Sequence, residues 1–223
     1  MNQTLAFDVY GTLIDTAGIT RNLQTIAGDQ AALFSSHWRA KQLEYSFRRG
    51  LMGAYEDFSV CTRDALVYTS QSLAIPLTAD EMGRLMDAYR RLPPFPEVAT
   101  ALSGLASTGL HLYAFSNGPA RDLEALLGHA GLDRHFRDVV SVDEIGNFKP
   151  DPRVYQHFLK RAAATPSSSW LISGNPFDLL GAANCDFNTA WVKRDPAALF
   201  DPWGGAPTLT LSSLEELQNR LEK

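Results

Sequence analysis

Three apolar runs in this chain stop abruptly at side chains able to do chemistry. Leu5-Ala6-Phe7 leads into Asp8 and then Gly11-Thr12; residues 110–115 lead into Ser116-Asn117-Gly118; residues 169–172 lead into Ser173-Gly174-Asn175 and, shortly after, Asp178. Each run has the length and apolarity of a buried strand, and each is closed by turn residues. A carboxylate at such a strand tip is costly unless donors satisfy it, so Asp8 invites a chemical role. Lys149 sits in a proline-braced loop, Gly146-Asn147-Phe148-Lys149-Pro150-Asp151-Pro152. Taken singly, each group has an ordinary alternative: a turn cap for Asp8, a turn for Ser116-Asn117, a solvated lysine, a first-turn helix acid for Asp178. In a parallel sheet, however, all strand C-termini lie on one edge, where ligands bind. Four such groups at successive strand ends are expected to converge there.

The elements that would position them alternate. Residues 96–107, 119–129, 151–164 and 176–185 have helical character, and residues 110–115, 138–142, 169–172 and 187–192 read as strands, with a terminal helix over 214–221. That alternation specifies an α/β fold, a parallel sheet with helices on both faces. Between the first strand and the next helix lies a long helical block. Asp29 is expected to cap a helix carrying Leu33, Phe34, Trp38, Leu43 and Phe47. A second helix covers 57–73, and Thr78-Ala79-Asp80-Glu81 has the form of a capping box opening a third. Pro93-Pro94-Phe95-Pro96 then ends the block, because proline fixes φ and removes a donor. The expected division is a core of residues 1–13 and 96–223, with a helical cap of 14–95 inserted after the first strand.

At 223 residues the chain can bury one sizeable core. Its 45% hydrophobic and 20% charged residues are an ordinary globular balance, and a net charge of -5 argues against general affinity for nucleic acid or anionic membranes. Cys61 and Cys185 are far apart and in no metal-ligand or redox spacing, which predicts reduced thiols in a cytoplasmic protein. No signal-type stretch opens the sequence, and no run approaches the ~18 apolar residues of a membrane span.

The stretches FDVYGTLID, FSNG, FKPDPRVY and SGNPFD resemble the four motifs of the haloacid dehalogenase superfamily. The resemblance implies a Rossmann-like core with an inserted helical cap. Most of that superfamily are phosphatases, which carry a second Asp two positions after the nucleophile to protonate the leaving alcohol. Here that position is Tyr10, and a halide, being a very weak base, needs no such acid. Phosphatases also hold Mg²⁺, a cation that wants several oxygen ligands. Their last motif supplies Gly-Asp where this chain has Gly174-Asn175. Both departures point to the L-2-haloacid dehalogenase branch, whose first motif reads Asp-x-Tyr-Gly-Thr, and Trp38-Arg39-Ala40-Lys41-Gln42-Leu43-Glu44-Tyr45 resembles that branch's cap motif. Ala40 stands where the branch often has Gln, and Phe177 where it often has Trp. A phosphatase that has lost its general acid is the alternative; a receiver-type phospho-switch is disfavoured by the helical block.

The resemblance implies a carboxylate nucleophile. Asp8 would displace halide from a 2-haloalkanoate, forming an aspartyl ester that water hydrolyses to a 2-hydroxy acid. Lys149 would pair with Asp8, Thr12 and Asn175 would orient it, and Asp178 would help activate the water. Ser116 and amides near Asn117 and Tyr10 would hold the substrate carboxylate. Arg39 and Asn117 would receive the halide, Tyr10, Phe58 and Phe177 would line the apolar part, and Tyr155 and Ser173 would support the acid cluster. No metal or cofactor is expected, and homodimers are common in the branch. Without a metal, only Lys149 and Arg39 can supply counter-charge, and an ammonium within ~4–6 Å keeps a carboxylate ionised.

Overall fold

Short apolar runs bounded by Gly, Asn and Pro become strands here, and the amphipathic stretches between them become the helices that cover both faces. The computed structural model describes residues 3–221, so the expected core limits at residues 1 and 223 lie outside it. The sheet strands are β1 (Thr4–Phe7), β2 (His111–Ser116), β3 (Asp138–Ser141), β4 (Ser169–Ser173), β5 (Asn188–Val192) and β6 (Leu209–Leu211). They form one all-parallel sheet in the order β3-β2-β1-β4-β5-β6. β1 is central, with Leu5, Ala6 and Phe7 fully buried, as a strand covered on both faces requires. The sequence reading did not anticipate β6, whose three residues are too few to show a period.

Helices α1 (Thr20–Ala27), α2 (Ala31–Met52), α3 (Phe58–Ser72) and α4 (Ala79–Tyr89) come between β1 and the next core helix, α5 (Val98–Ala106). Asp57 caps α3 through the Ser59 N–H, and Thr78 and Glu81 close the reciprocal capping box of α4. Asp29 does not cap α2. It sits in a single 3-10 turn, Gly28–Gln30, and makes no capping hydrogen bond, while Gln30 occupies the position before the helix. The cause is Gly28, whose φ of 51° breaks α1 from α2 and moves the helix start past Asp29. The remaining helices, α6 (Ala120–His129), α7 (Pro152–Ala162), α8 (Pro176–Ala183) and α9 (Leu217–Leu221), belong to the layers around the sheet. Among the described residues no helix is long and apolar enough to cross a membrane.

The chain leaves the sheet layer after Leu13 and returns at Phe95. These two crossings are hydrogen-bonded to each other: the Asp15 N–H donates to Pro93 O at 2.9 Å and the Phe95 N–H to Leu13 O at 3.0 Å, flanking an antiparallel bridge between Ile14 and Pro94.

Candidate active site

Asp8 stands one residue beyond β1, held by a turn that the sequence dictates. Gly11 has φ 82°, a conformation costly for any residue with a Cβ, and the N–H groups of Leu13 and Ile14 fold back onto Val9 O. The turn brings Thr12 Oγ1 to 2.8 Å from Asp8 Oδ2. From β4 and the start of α8, Ser173 Oγ and Asn175 Nδ2 donate to the same oxygen at 3.3 and 2.6 Å. Close approach of the two loops requires Gly174, where a Cβ would lie 2.4 Å from Gly11 O. Arg194 braces the turn from the far end of the chain, donating to Thr12 O at 2.8 Å and to Glu97 at 2.7 Å.

The carboxylate is therefore lopsided. Oδ2 accepts three hydrogen bonds, whereas Oδ1 has Lys149 Nζ at 3.4 Å. Lys149 is 1% exposed and also donates to Asp178 Oδ2 and Phe115 O, each at 2.8 Å. The aliphatic stem of lysine tolerates such burial, but its ammonium does not unless anions and acceptors surround it. Asp178 is fully buried, and its other oxygen accepts the Tyr155 hydroxyl at 2.8 Å. Burial raises the Asp178 pKa to about 6 against the opposing pull of Lys149, with the Asp8 charge adding to the rise. Burial likewise keeps the Tyr10 and Tyr155 phenols neutral, pushing both pKa values well up.

Ser116 ends β2, and Asn117 accepts the Lys149 backbone N–H at 2.9 Å through Oδ1, which fixes that end of its amide as the acceptor. From the helical layer above, Arg39 on α2 donates to Tyr10 O and to Gln42 Oε1, both at 3.4 Å. Phe58 begins α3 and stacks on Tyr10, with 6.5 Å between ring centroids; Phe177 meets Phe47 edge to face at 5.1 Å. Among the described residues, no group of three or more His, Cys, Asp or Glu side chains could hold a metal ion.

A small cavity lies over Asp8, lined by Asp8, Tyr10, Arg39, Phe58, Ser116, Asn117, Lys149, Asn175 and Phe177, and by Leu43, which the sequence reading gave to the cap helix but not to the site. Its volume is about 10 Å³, and a single water needs ~10–15 Å³ on this measure. The other four expected residues, Thr12, Tyr155, Ser173 and Asp178, do not line it and instead bond to Asp8 or to one another's partners. The sequence reading quoted Gln42 in the cap motif without a role and did not reach Tyr89. Gln42 was findable, since it lies three residues from Arg39 and so on the same helix face. Tyr89 carries no local signal; only the fold brings it to Gln42.

What the arrangement can do is constrained by these distances. It holds an anionic carboxylate with one oxygen poorly engaged, a fixed cation beside it, a second buried acid able to trade a proton near neutrality, and a guanidinium opposite.

A family model described as haloacid dehalogenase-like hydrolase matches residues 3–186. The (S)-2-haloacid dehalogenase of Pseudomonas sp. (strain YL) is 36% identical over 98% of this chain and 94% of its own length. The (S)-2-haloacid dehalogenase 2 of Pseudomonas sp. (strain CBS-3) is 35% identical over 97% and 94%. The structure of L-2-haloacid dehalogenase from Xanthobacter autotrophicus superposes with a TM-score of 0.93 at 31% identity, covering 100% of this chain and 99% of that one. A second structure of that protein, with chloropropionic acid covalently bound, matches equally well.

Proposed function

The chain belongs to the haloacid dehalogenase-like hydrolases and is a hydrolase of carbon–halide bonds, and from that premise we propose that it converts short L-2-haloalkanoic acids to D-2-hydroxy acids through an ester on Asp8. The observation that carries the reading is the asymmetry of the Asp8 carboxylate. Three donors pin Oδ2, so Oδ1 is the oxygen left to attack carbon. Lys149 sets a positive charge beside the group without capping Oδ1 at short range. Ser116 and nearby amides receive the substrate carboxylate, and Arg39 and Asn117 receive the departing halide, with Tyr10, Phe58 and Phe177 against the alkyl part. The covalent chloropropionic acid in the Xanthobacter relative is consistent with such an intermediate.

Displacement breaks the carbon–halogen bond as the Oδ1–carbon bond forms, and the electron pair leaves with halide. Water then attacks the ester carbonyl carbon and gives its proton to Asp178, which with a pKa of about 6 is ionised at neutral pH. The bond from that carbon to the substrate oxygen breaks, the alkoxide takes the proton and leaves as the 2-hydroxy acid, and Asp8 returns as a carboxylate. Thr12, Ser173 and Asn175 hold Oδ2 through both steps, and Tyr155 holds Asp178. No divalent cation is needed, because Lys149 Nζ already lies between the two carboxylates at 3.4 and 2.8 Å. Residues 14–95 act as the cap and the remainder as the core. Two free cysteines suit a reducing cytoplasm.

A halide-release screen over L- and D-2-chloropropanoate, followed by single turnover in ¹⁸O-water, tests this. The label should enter Asp8 and leave the first product unlabelled, and the L-substrate should give the D-hydroxy acid. Label passing directly into product, or retained configuration, would sink the ester route. Mg²⁺-dependent turnover of p-nitrophenyl phosphate without halide release would replace the reading with the phosphatase one.

A further inference from the structure

Arg39 reaches the cavity on a long, rotamer-rich stem, and its two contacts to the protein at 3.4 Å are at the long end of the hydrogen-bond range. Something must keep the guanidinium from wandering. Gln42, one helical turn away on α2, is fully buried, and its Oε1 accepts both Arg39 Nη1 and the Tyr89 hydroxyl, the latter at 2.9 Å. Its Nε2 is buried with no hydrogen-bond partner.

That orphan donor is informative. Burying an amide N–H without a partner is unfavourable, and an apolar side chain of the same size would avoid that penalty. Gln42 is thus a poor choice for stability alone. What it supplies, and Leu or Met could not, is a neutral acceptor facing Nη1. The orientation of the amide is itself set from α4. The Tyr89 ring packs against Tyr10 at 5.7 Å and Trp38 at 5.2 Å, which directs its hydroxyl onto Oε1. Turning the amide over would place Nε2 against the Arg39 N–H, donor facing donor. A carboxylate in the same place would hold Arg39 more firmly but neutralise it. A neutral amide steers the guanidinium and leaves its charge for an anion.

We propose that Gln42, oriented by Tyr89, is a positioning residue for Arg39, holding the guanidinium where it meets the departing halide. The proposal rests on the dehalogenase reading above. Gln42 lines no part of the cavity, so it acts only through Arg39.

The test measures halide release from L-2-chloropropanoate, together with thermal stability, for wild type, Gln42→Met, Tyr89→Phe, Arg39→Lys and the Arg39→Lys/Gln42→Met double variant. Gln42→Met exchanges the unpaired Nε2 for an unpaired Tyr89 hydroxyl, so it should melt close to wild type yet lose at least tenfold in kcat/KM, and Tyr89→Phe should lose several-fold. Lysine has no Nη1 to be held, so Gln42→Met should cause no further loss in the Arg39→Lys background. Bromide should inhibit Gln42→Met more weakly than wild type. A folded Gln42→Met with wild-type rates overturns the proposal, as does an additive loss in the double variant. Should Gln42→Met melt lower, Tyr89→Phe decides: wild-type rates and bromide inhibition there also overturn it. A wild-type protein that releases no halide overturns the dehalogenase reading instead, and the proposal falls with it.

Discussion

Replacing Lys149 by methionine keeps the stem and removes one charge, and the consequences can be worked from two distances. The ammonium lies 2.8 Å from Asp178 and 3.4 Å from Asp8. At an effective dielectric of ~20, unit charges at those separations attract by about 6 and about 5 kcal/mol. Desolvation of all three groups and repulsion between the carboxylates offset much of this, and removing one partner of a buried pair typically costs ~3–5 kcal/mol. The deficit must depend on pH. Asp178 already has a folded pKa of about 6, above its unfolded value, so this group's contribution is fully present at low pH and is lost as pH rises through the folded pKa. Without Lys149 that pKa rises further, and the loss continues well above pH 6. The variant should therefore fall behind wild type by the full amount at pH 8 and by clearly less at pH 5. At ~2–4 °C per kcal/mol for a chain of this size, the melting temperature at pH 8 should drop by about 10 °C or more. Thermal unfolding followed by circular dichroism at the two pH values measures both quantities. Equal deficits at pH 5 and pH 8, or no deficit, would show that Asp178 does not titrate against Lys149.

Halide release by wild type should decline as pH falls through about 6, because Asp178 must be unprotonated to receive the water's proton. Tyr155→Phe removes a hydrogen bond that lowers the Asp178 pKa, so the acid limb of the pH–rate profile should move to higher pH; an unmoved limb would assign it to another group. EDTA should leave halide release from 2-chloropropanoate unchanged, and loss of activity restored by Mg²⁺ would overturn the metal-free assignment. Gly174→Ala places a Cβ 2.4 Å from Gly11 O, a backbone atom that cannot turn aside, so it should separate Asn175 from Asp8. Activity should fall by at least a hundredfold in a protein that still folds, and a mild effect would show that the two loops tolerate separation.

Much of the site was legible because the polar groups end strands, and a parallel sheet gathers strand ends onto one edge. Asp8, Ser116, Lys149, Asn175 and Asp178 needed no more than that rule to be placed together. The Thr78 capping box was equally readable, being complete within four residues. Asp29 misled because a capping residue type says nothing about a glycine beside it that shifts the helix start. The dissimilar fates of the two Asp8 oxygens, the Tyr89 hydroxyl on Gln42, and Arg194 returning to Thr12 across the whole core were not legible. Each depends on where two distant segments come to rest, which local pattern does not encode.

The pairing of the two crossings between sheet and helical layer has a mechanical consequence. The cavity over Asp8 holds about 10 Å³, about the space of one water, so we expect the helical layer to lift from the sheet layer when a haloacid enters. Were the crossings independent, the upper layer would be tethered at two points and could only strain against them. Because Asp15 is bonded to Pro93 and Phe95 to Leu13, they form one ribbon, and the expected motion is a swing of the layer about it, as a door swings on a single pin. One bond that such a swing would break is that of the Tyr55 hydroxyl to Asp143 at 2.6 Å. Tyr55→Phe removes that bond, and if opening limits the rate, turnover in viscous solvent should slow for wild type more than for the variant.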